Sequence, residues 1–416
     1  MAGEVVGCRR PLTPTCRLCG AALRASLVDL GATPLANALV TPAAACEPDA
    51  CWPLHVRVCA RCRLVQVDTI VPPAAIFRDY PYFSSVSSGW VAHAARFAVA
   101  MIAELNLTAG SLVLELASND GYLLQHFAAR GIAVLGIEPA ANVAAAAIAR
   151  GIPTEIAFFS AALAQRLHVQ ADLVVANNVL AHVPGLADFA VGLAQVLAPG
   201  GVVALEFPHL LRLLEGVQFD TIYHEHYSYL SLLVVERVLA EAGLRAFEVM
   251  ALPTHGGSLR VLACHAGATW PARPGLAAVR AEERAAGLHR RAGYRGFAAR
   301  VAAVQRGLIG FLAQRRAAGR RVAAYGAAAK GCTLLNSCAI TAADITCVAD
   351  RSPAKQGRLL PGCRVPIVAP ATLLADPPDD VLILPWNLAD EIAAELAPLR
   401  RASTQLWVAV PALRRV

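Results

Sequence analysis

Thr221 to Tyr229 reads Thr-Ile-Tyr-His-Glu-His-Tyr-Ser-Tyr, placing two histidines, one glutamate and three tyrosines within nine residues. Imidazole titrates near neutrality, so a ring held here can accept a proton at working pH. A phenol beside it can hydrogen-bond an oxyanion as charge develops, and a carboxylate can orient the ring or contact substrate. His224 is the exception, since a loop histidine ordinarily has a capped or solvated role. Backbone geometry decides which side chains meet. An extended chain puts His224 and His226 on one face, whereas a helical one pairs Tyr223 with His226.

The segment follows an expected strand, Val202 to Phe207, late in an alternating series of helices and strands. His93 to Leu105 has helical spacing. Leu112 to Leu116, Ala133 to Ile137 and Ala171 to Ala176 are short apolar runs suited to buried parallel strands. The turn Ala198-Pro199-Gly200-Gly201 introduces the fourth strand. Strands alternating with helices predict a parallel sheet with right-handed crossovers, and ligands gather at the carboxyl ends of such strands. Arg-rich helical sequence spans residues 275–318. A second strand–loop–helix series begins at Arg321 and continues through 345–350, 381–384 and 405–410.

The loop after the first strand, Ala117-Ser118-Asn119-Asp120-Gly121, lacks the G-x-G-x-x-G dinucleotide pattern. One late glycine and an acidic residue closing the next strand (Glu138, before Pro139) suit a nucleoside whose ribose hydroxyls need a carboxylate. Ser118 and Asn119 could also cap the helix at Tyr122.

Twelve cysteines in a 416-residue chain do not form a disulfide framework if the protein is cytoplasmic. Cys16-x-x-Cys19 and Cys59-x-x-Cys62 instead form two knuckles that together complete a four-thiolate structural zinc site. Cys46, Cys51 and, more weakly, His55 are substitutes. The insert between the knuckles has two arginines and one tryptophan, too few for a nucleic-acid ribbon. No apolar run reaches the ~18 residues needed to span a bilayer, and the first ten residues lack a signal-peptide layout. A cytoplasmic enzyme with no nucleic-acid or membrane partner is expected, as a monomer or weak homo-oligomer.

The net charge of +7 points to an anionic ligand. Of 37 basic residues only Lys330 and Lys355 are lysine. A GC-rich genome explains the arginine bias, and the two survivors then mark places needing a compact ammonium charge. Lys330-Gly331 falls at a strand-to-helix turn, where backbone N–H groups and the ammonium can cradle a diphosphate. Arg351 and Lys355 follow the next strand. Trp386-Asn387 follows a third, where the indole either stacks on a base or packs in the core.

Glu115 with the loop after it, Glu138 and Pro199-Gly200-Gly201 resemble the class I S-adenosylmethionine-dependent methyltransferases. Adding the cysteine pairs, Tyr80-Pro81-Tyr82, Glu206-Phe207-Pro208, the Tyr223–Tyr229 segment, His255-Gly256-Gly257-Ser258-Leu259-Arg260 and Tyr325–Gly331 sharpens this. Together they resemble the nucleotide-sugar C-methyltransferases over nearly the whole chain. The resemblance implies an α/β architecture: a zinc module (1–75), a methyl-donor Rossmann-like domain (76–270), a helical bridge (271–318) and a C-terminal Rossmann-like sugar-nucleotide domain (319–416). It implies S-adenosylmethionine as donor and a nucleoside-diphosphate deoxysugar, dTDP-linked, as substrate. Glu115, Ser118, Asn119, Gly121, Glu138, Pro139, Asn177 and Asn178 would then serve the donor. His255, Gly257, Ser258, Arg260, Lys330, Gly331, Arg351, Lys355, Trp386 and Asn387 would serve the substrate. His226 is the expected base for a C3 proton made acidic by a 4-keto group. Tyr223, with Tyr80 or Tyr82, would hold the enolate oxygen, Glu225 would orient, and His182 adds a polar contact. The competing readings are a NAD-dependent sugar-nucleotide epimerase or dehydratase, and a zinc-ribbon adaptor without catalysis.

Overall fold

The computed structural model describes residues 13–77, 80, 83–401 and 403–416, so Tyr82 lies outside the described residues. Ala25–Pro34 (β1), Cys51–Val58 (β2) and Val65–Val67 (β3) form an antiparallel sheet beside the cysteine knuckles. Leu112–Leu116 (β4), Ala133–Ile137 (β5), Thr154–Glu155 (β6), Ala171–Asn177 (β7) and Leu197–Pro208 (β8) are parallel. Ser228–Tyr229 (β9) leaves that sheet and pairs with β3. Leu244–Leu252 (β10) and Ser258–His265 (β11) return to it, with β11 antiparallel to both β8 and β10. The resulting order is β10-β11-β8-β7-β4-β5-β6.

The apolar runs become strands because helices cover both faces, so Val113, Leu114, Val174 and Val175 are fully buried. Ser88–Leu105 shows the complementary helical pattern, burying Ala94, Phe97, Ala98 and Met101 on one stripe. Ser87 caps its start by accepting from Trp90 N–H, and Asn106 ends it in the left-handed conformation, φ 50°. The turn expected at residues 198–201 lies inside β8. Register there jumps from Ala171–Leu197 to Leu173–Val202, so the Pro-Gly-Gly run is a bulge within the strand.

Val322–Tyr325 (β12), Val348–Ala349 (β13), Ile367–Val368 (β14), Asp380–Ile383 (β15) and Gln405–Val408 (β16) form a second parallel sheet. Arg414–Arg415 (β17) closes its edge antiparallel, giving the order β14-β13-β12-β15-β16-β17. Helices Pro274–Ala285 and Phe297–Ala317 precede this sheet. Chain order reverses between β4 and β7 in one sheet and between β12 and β15 in the other. Each reversal leaves a crevice at the strands' carboxyl ends.

Candidate active site

Both crevices open into one cleft of about 1850 Å³. Leu116, Ala117, Asn119, Glu138, Pro139, Asn177 and Asn178 line it from the first reversal; Gly326, Ala329, Lys330 and Asn387 line it from the second. Between them stand His182, Tyr223, Glu225 and His226. Phe77, Tyr80, Phe83 and Ser84 close over one side.

The donor-side loop owes its shape to backbone contacts. Ala117 and Asn119 adopt φ near +50°. Asn119 N–H and Ala140 N–H donate to the two oxygens of Glu138 at 2.9 and 2.8 Å, and burial pushes that carboxyl up. A Cβ at Gly136 would stand 2.3 Å from Ser118 Oγ, so only glycine lets β5 approach this loop. Glu115, Ser118 and Gly121 lie beneath the cleft wall, not on it. Burial and the neighbouring Glu138 and Asp120 carboxylates raise Glu115 well above the carboxylate range. The Oδ1 atoms of Asn177 and Asn178 are buried with no partner among the described residues. Unmatched acceptors in a crevice wall fit the amine-bearing ends of S-adenosylmethionine.

The Tyr223–His226 stretch is a tight turn, closed by His226 N–H to the Tyr223 carbonyl at 2.9 Å. Turn geometry therefore pairs Tyr223 with His226, with ring centroids 4.1 Å apart. His224 points the other way, its Nε2 3.2 Å from the Trp52 carbonyl. His226 Nδ1 lies 2.8 Å from the Thr221 carbonyl, an acceptor, so Nδ1 carries the proton and Nε2 keeps its lone pair. Burial, then the His182 ring 4.7 Å away, hold His226 well below its ordinary value. It is a neutral imidazole. Burial likewise lowers His182 to about 4 and raises Glu225 to about 7. Glu225 accepts from Asn37 Nδ2 at 2.6 Å and from Tyr80 hydroxyl at 3.3 Å. Tyr227, by contrast, is core: its hydroxyl donates to the Val71 carbonyl.

On the far side, Lys330 Nζ donates to Asn387 Oδ1 at 2.6 Å and sits 4.8 Å from the Trp386 ring centre. Burial lowers its ammonium, opposed by Asp220, which burial raises to about 6. Trp386 is turned from the cleft, its indole N–H bonded to Asp220 at 2.7 Å, so it packs and does not offer a stacking face. Lys355 reaches the Ala327 carbonyl at 2.8 Å, and Arg351 is exposed at the rim. His255, lowered to about 4 chiefly by burial, lies against Trp90. Arg260 pairs with the buried Glu206 at 2.9 Å and approaches His93 at 3.2 Å. Gly257 (φ 116°), Ser258 and Gly331 shape the wall from behind; a Cβ on Gly257 would meet Arg212 at 2.6 Å. Asn37, Trp90, His93 and Asp220 were not expected from the sequence. Only Asp220, one residue before the Thr221–Tyr229 segment, carried a local signal.

The four thiols of Cys16, Cys19, Cys59 and Cys62 lie within 4.8 Å of one another. Thiolates on one tetrahedral zinc stand roughly 3.8 Å apart, so the cluster fits the ion. Cys46 and Cys51 are exposed, and His55 bonds Ser26 instead.

Strand order, acidic second strand and open first crevice define a class I S-adenosylmethionine-dependent methyltransferase domain, here joined to a zinc-binding domain and a second α/β domain. The comparisons agree. Residues 16–77 match a zinc binding domain, 90–249 a methyltransferase domain and 253–411 a C-methyltransferase C-terminal domain. C-methyltransferase NovU of Streptomyces niveus is 36% identical over 387 residues, covering 91% of this chain and 90% of the relative. The chain belongs to this C-methyltransferase family. Among solved structures, an S-adenosylmethionine-dependent methyltransferase from Clostridium acetobutylicum covers 41% of this chain and 90% of its own, at 11% identity and TM-score 0.34. Magnesium protoporphyrin IX methyltransferase from Synechocystis with bound S-adenosylmethionine covers 42% and 80%, at 18% identity and TM-score 0.34. Among the described residues no helix is long and apolar enough to cross a membrane.

Proposed function

We propose that this C-methyltransferase moves the methyl group of S-adenosylmethionine to C3 of a nucleoside-diphosphate 4-keto-deoxysugar, through an enolate. Methylating carbon requires a carbanion equivalent, and a 4-keto group makes the C3 proton acidic enough for a positioned base. The observation that carries the reading is His226: a neutral ring on the cleft wall, its Nδ1 proton committed to a carbonyl. Its Nε2 takes the C3 proton. Tyr223, packed on the ring, donates to the enolate oxygen. Glu225 orients the sugar, burial keeps the His226 ring from protonating in advance, and His182 adds a polar contact beside it. When bound, the donor supplies an electrophilic methyl on a sulfonium; Glu138 holds its ribose, and the Asn177 and Asn178 amides accept from its amines. Lys330 and Lys355 take the diphosphate, dTDP-linked on the family resemblance, as point charges.

Thiols left unpaired outside the four-cysteine cluster, among the described residues, suit a reducing compartment and support a cytoplasmic reaction, on a deoxysugar route such as those feeding antibiotics. Incubation with labelled donor and a panel of 4-keto-6-deoxy sugar nucleotides tests the proposal. One methyl should appear at C3, with solvent deuterium entering there; labelled product from none of the panel would reject the substrate class.

A further inference from the structure

Building on that reading, we infer that the N-terminal zinc module is a working part of the active site, with Asn37 and Arg17 positioning the Tyr223–Ser228 segment for proton transfer. The module does not stand apart from the chemistry. Asn37, in the turn after β1, reaches 188 residues along the chain to donate to Glu225 Oε1 at 2.6 Å, and it lines the cleft. Its amide is the shorter of the two bonds on that carboxyl; the other comes from Tyr80.

Arg17 makes the second tie. It sits inside the first knuckle, between Cys16 and Cys19, and burial encloses its guanidinium. Its fork donates to the Val67 carbonyl at 2.8 Å, to Ser228 Oγ at 3.0 Å and to the Tyr227 carbonyl. One side chain thus grips β3 and β9 together, across the pairing of Gln66 with Ser228. Gln66 extends the chain of contacts back to the metal site: its Oε1 accepts Arg17 N–H at 3.0 Å and its Nε2 donates to Cys16 Sγ at 3.1 Å. From a zinc ligand to the backbone next to His226 there are only two intervening side chains.

The rest of the turn's support makes this matter. On the C-terminal side, Thr333 holds the Ile222 carbonyl at 3.0 Å. Beyond Tyr223, the contacts come mainly from the zinc module: Trp52 carbonyl to His224, Asn37 to Glu225, Arg17 to Tyr227 and Ser228. A base must sit within a fraction of an ångström of its proton, and a 1 Å displacement costs about 10²-fold in rate. A merely structural module would need no bond to Glu225. Arg17 and Asn37 are positioning residues: they act through Glu225 and His226 and make no step themselves.

The test uses the zinc-loaded full-length protein, Asn37→Ala and Arg17→Lys. Four quantities are read: zinc per chain, donor affinity by titration calorimetry, hydrogen exchange of peptides covering 221–229, and kcat against pH. Asn37→Ala is expected to keep its zinc and to bind donor within about two-fold of wild type, while kcat falls about 10²-fold. Its Glu225 limb should also move to higher pH, because the Asn37 bond holds that carboxyl down. Arg17→Lys should exchange faster at 221–229 with zinc retained. Asn37→Ala sits in a half-buried turn and keeps the test alive if Arg17→Lys does not fold. Unchanged exchange, kcat and pH profile in Asn37→Ala would overturn the inference; so would a loss of kcat matched by equal losses of zinc and donor affinity. Wild-type protein inert on the sugar panel would sink the proposed substrate instead, since exchange at 221–229 reads the coupling without any substrate.

Discussion

The two crevices that share the cleft obey one topological rule and carry opposite chemistry. At the β4–β7 reversal the wall offers acceptors: the Glu138 carboxylate and the Asn177 and Asn178 oxygens, which have no partner among the described residues. At the β12–β15 reversal it offers the ammonium groups of Lys330 and Lys355, the chain's two lysines. Strand order fixes where a ligand can sit; side-chain charge decides which ligand that is. On the proposed reading a cationic donor takes the first crevice and an anionic diphosphate the second. The Tyr223–His226 turn lies between them, built by neither sheet.

Variants can break this contrast in graded ways. His226→Asn, at the junction, should lower kcat by roughly 10³-fold, within the range of general-base loss, while calorimetry shows donor affinity unchanged. Lys330→Met should raise KM for the sugar nucleotide roughly 10- to 100-fold, the worth of a charge-assisted phosphate contact, and leave donor binding alone. Glu138→Ala should do the reverse, weakening donor binding about ten-fold in titration while the sugar-nucleotide KM holds. If both variants weaken both ligands alike, the division of labour fails.

The smallest effect sharpens the cost of the junction. Burial pushes Glu225 from 4.5 to about 7, so the folded state favours its neutral form. Stability is then greatest below about pH 4.5 and falls as pH rises toward 7. The loss is about 3 kcal/mol. Glu225→Gln should therefore be the more stable protein at pH 8 by about that amount, and should match wild type at pH 4. Denaturant titration at the two values checks both size and sign.

Much of the fold was legible because buried parallel strands leave an unambiguous trace. Leu112–Leu116 and Ala133–Ile137 coincide with β4 and β5. The Pro-Gly-Gly bulge in β8 was not, since the same residues make turns, and only the partner strand's register tells them apart. The cysteine knuckles and the two lysines were legible as residue types whose chemistry is narrow. The Tyr223–His226 turn was half legible. Its composition marked it, yet the contacts of Glu225 with Asn37 and of Tyr227 with Arg17 join residues 188 and 210 apart. No local pattern encodes such pairs. Trp386 shows where residue type stops short: it left stacking and core packing both open, and the bond to buried Asp220 decides for packing.

The central claim is that His226 removes the C3 proton. Its most direct measurement is solvent-deuterium exchange at C3 of a 4-keto sugar nucleotide, with S-adenosylhomocysteine bound so that transfer is blocked. Wild-type protein should exchange that position, and His226→Asn should not, although it binds both ligands as tightly. Exchange by the variant at the wild-type rate would contradict the account.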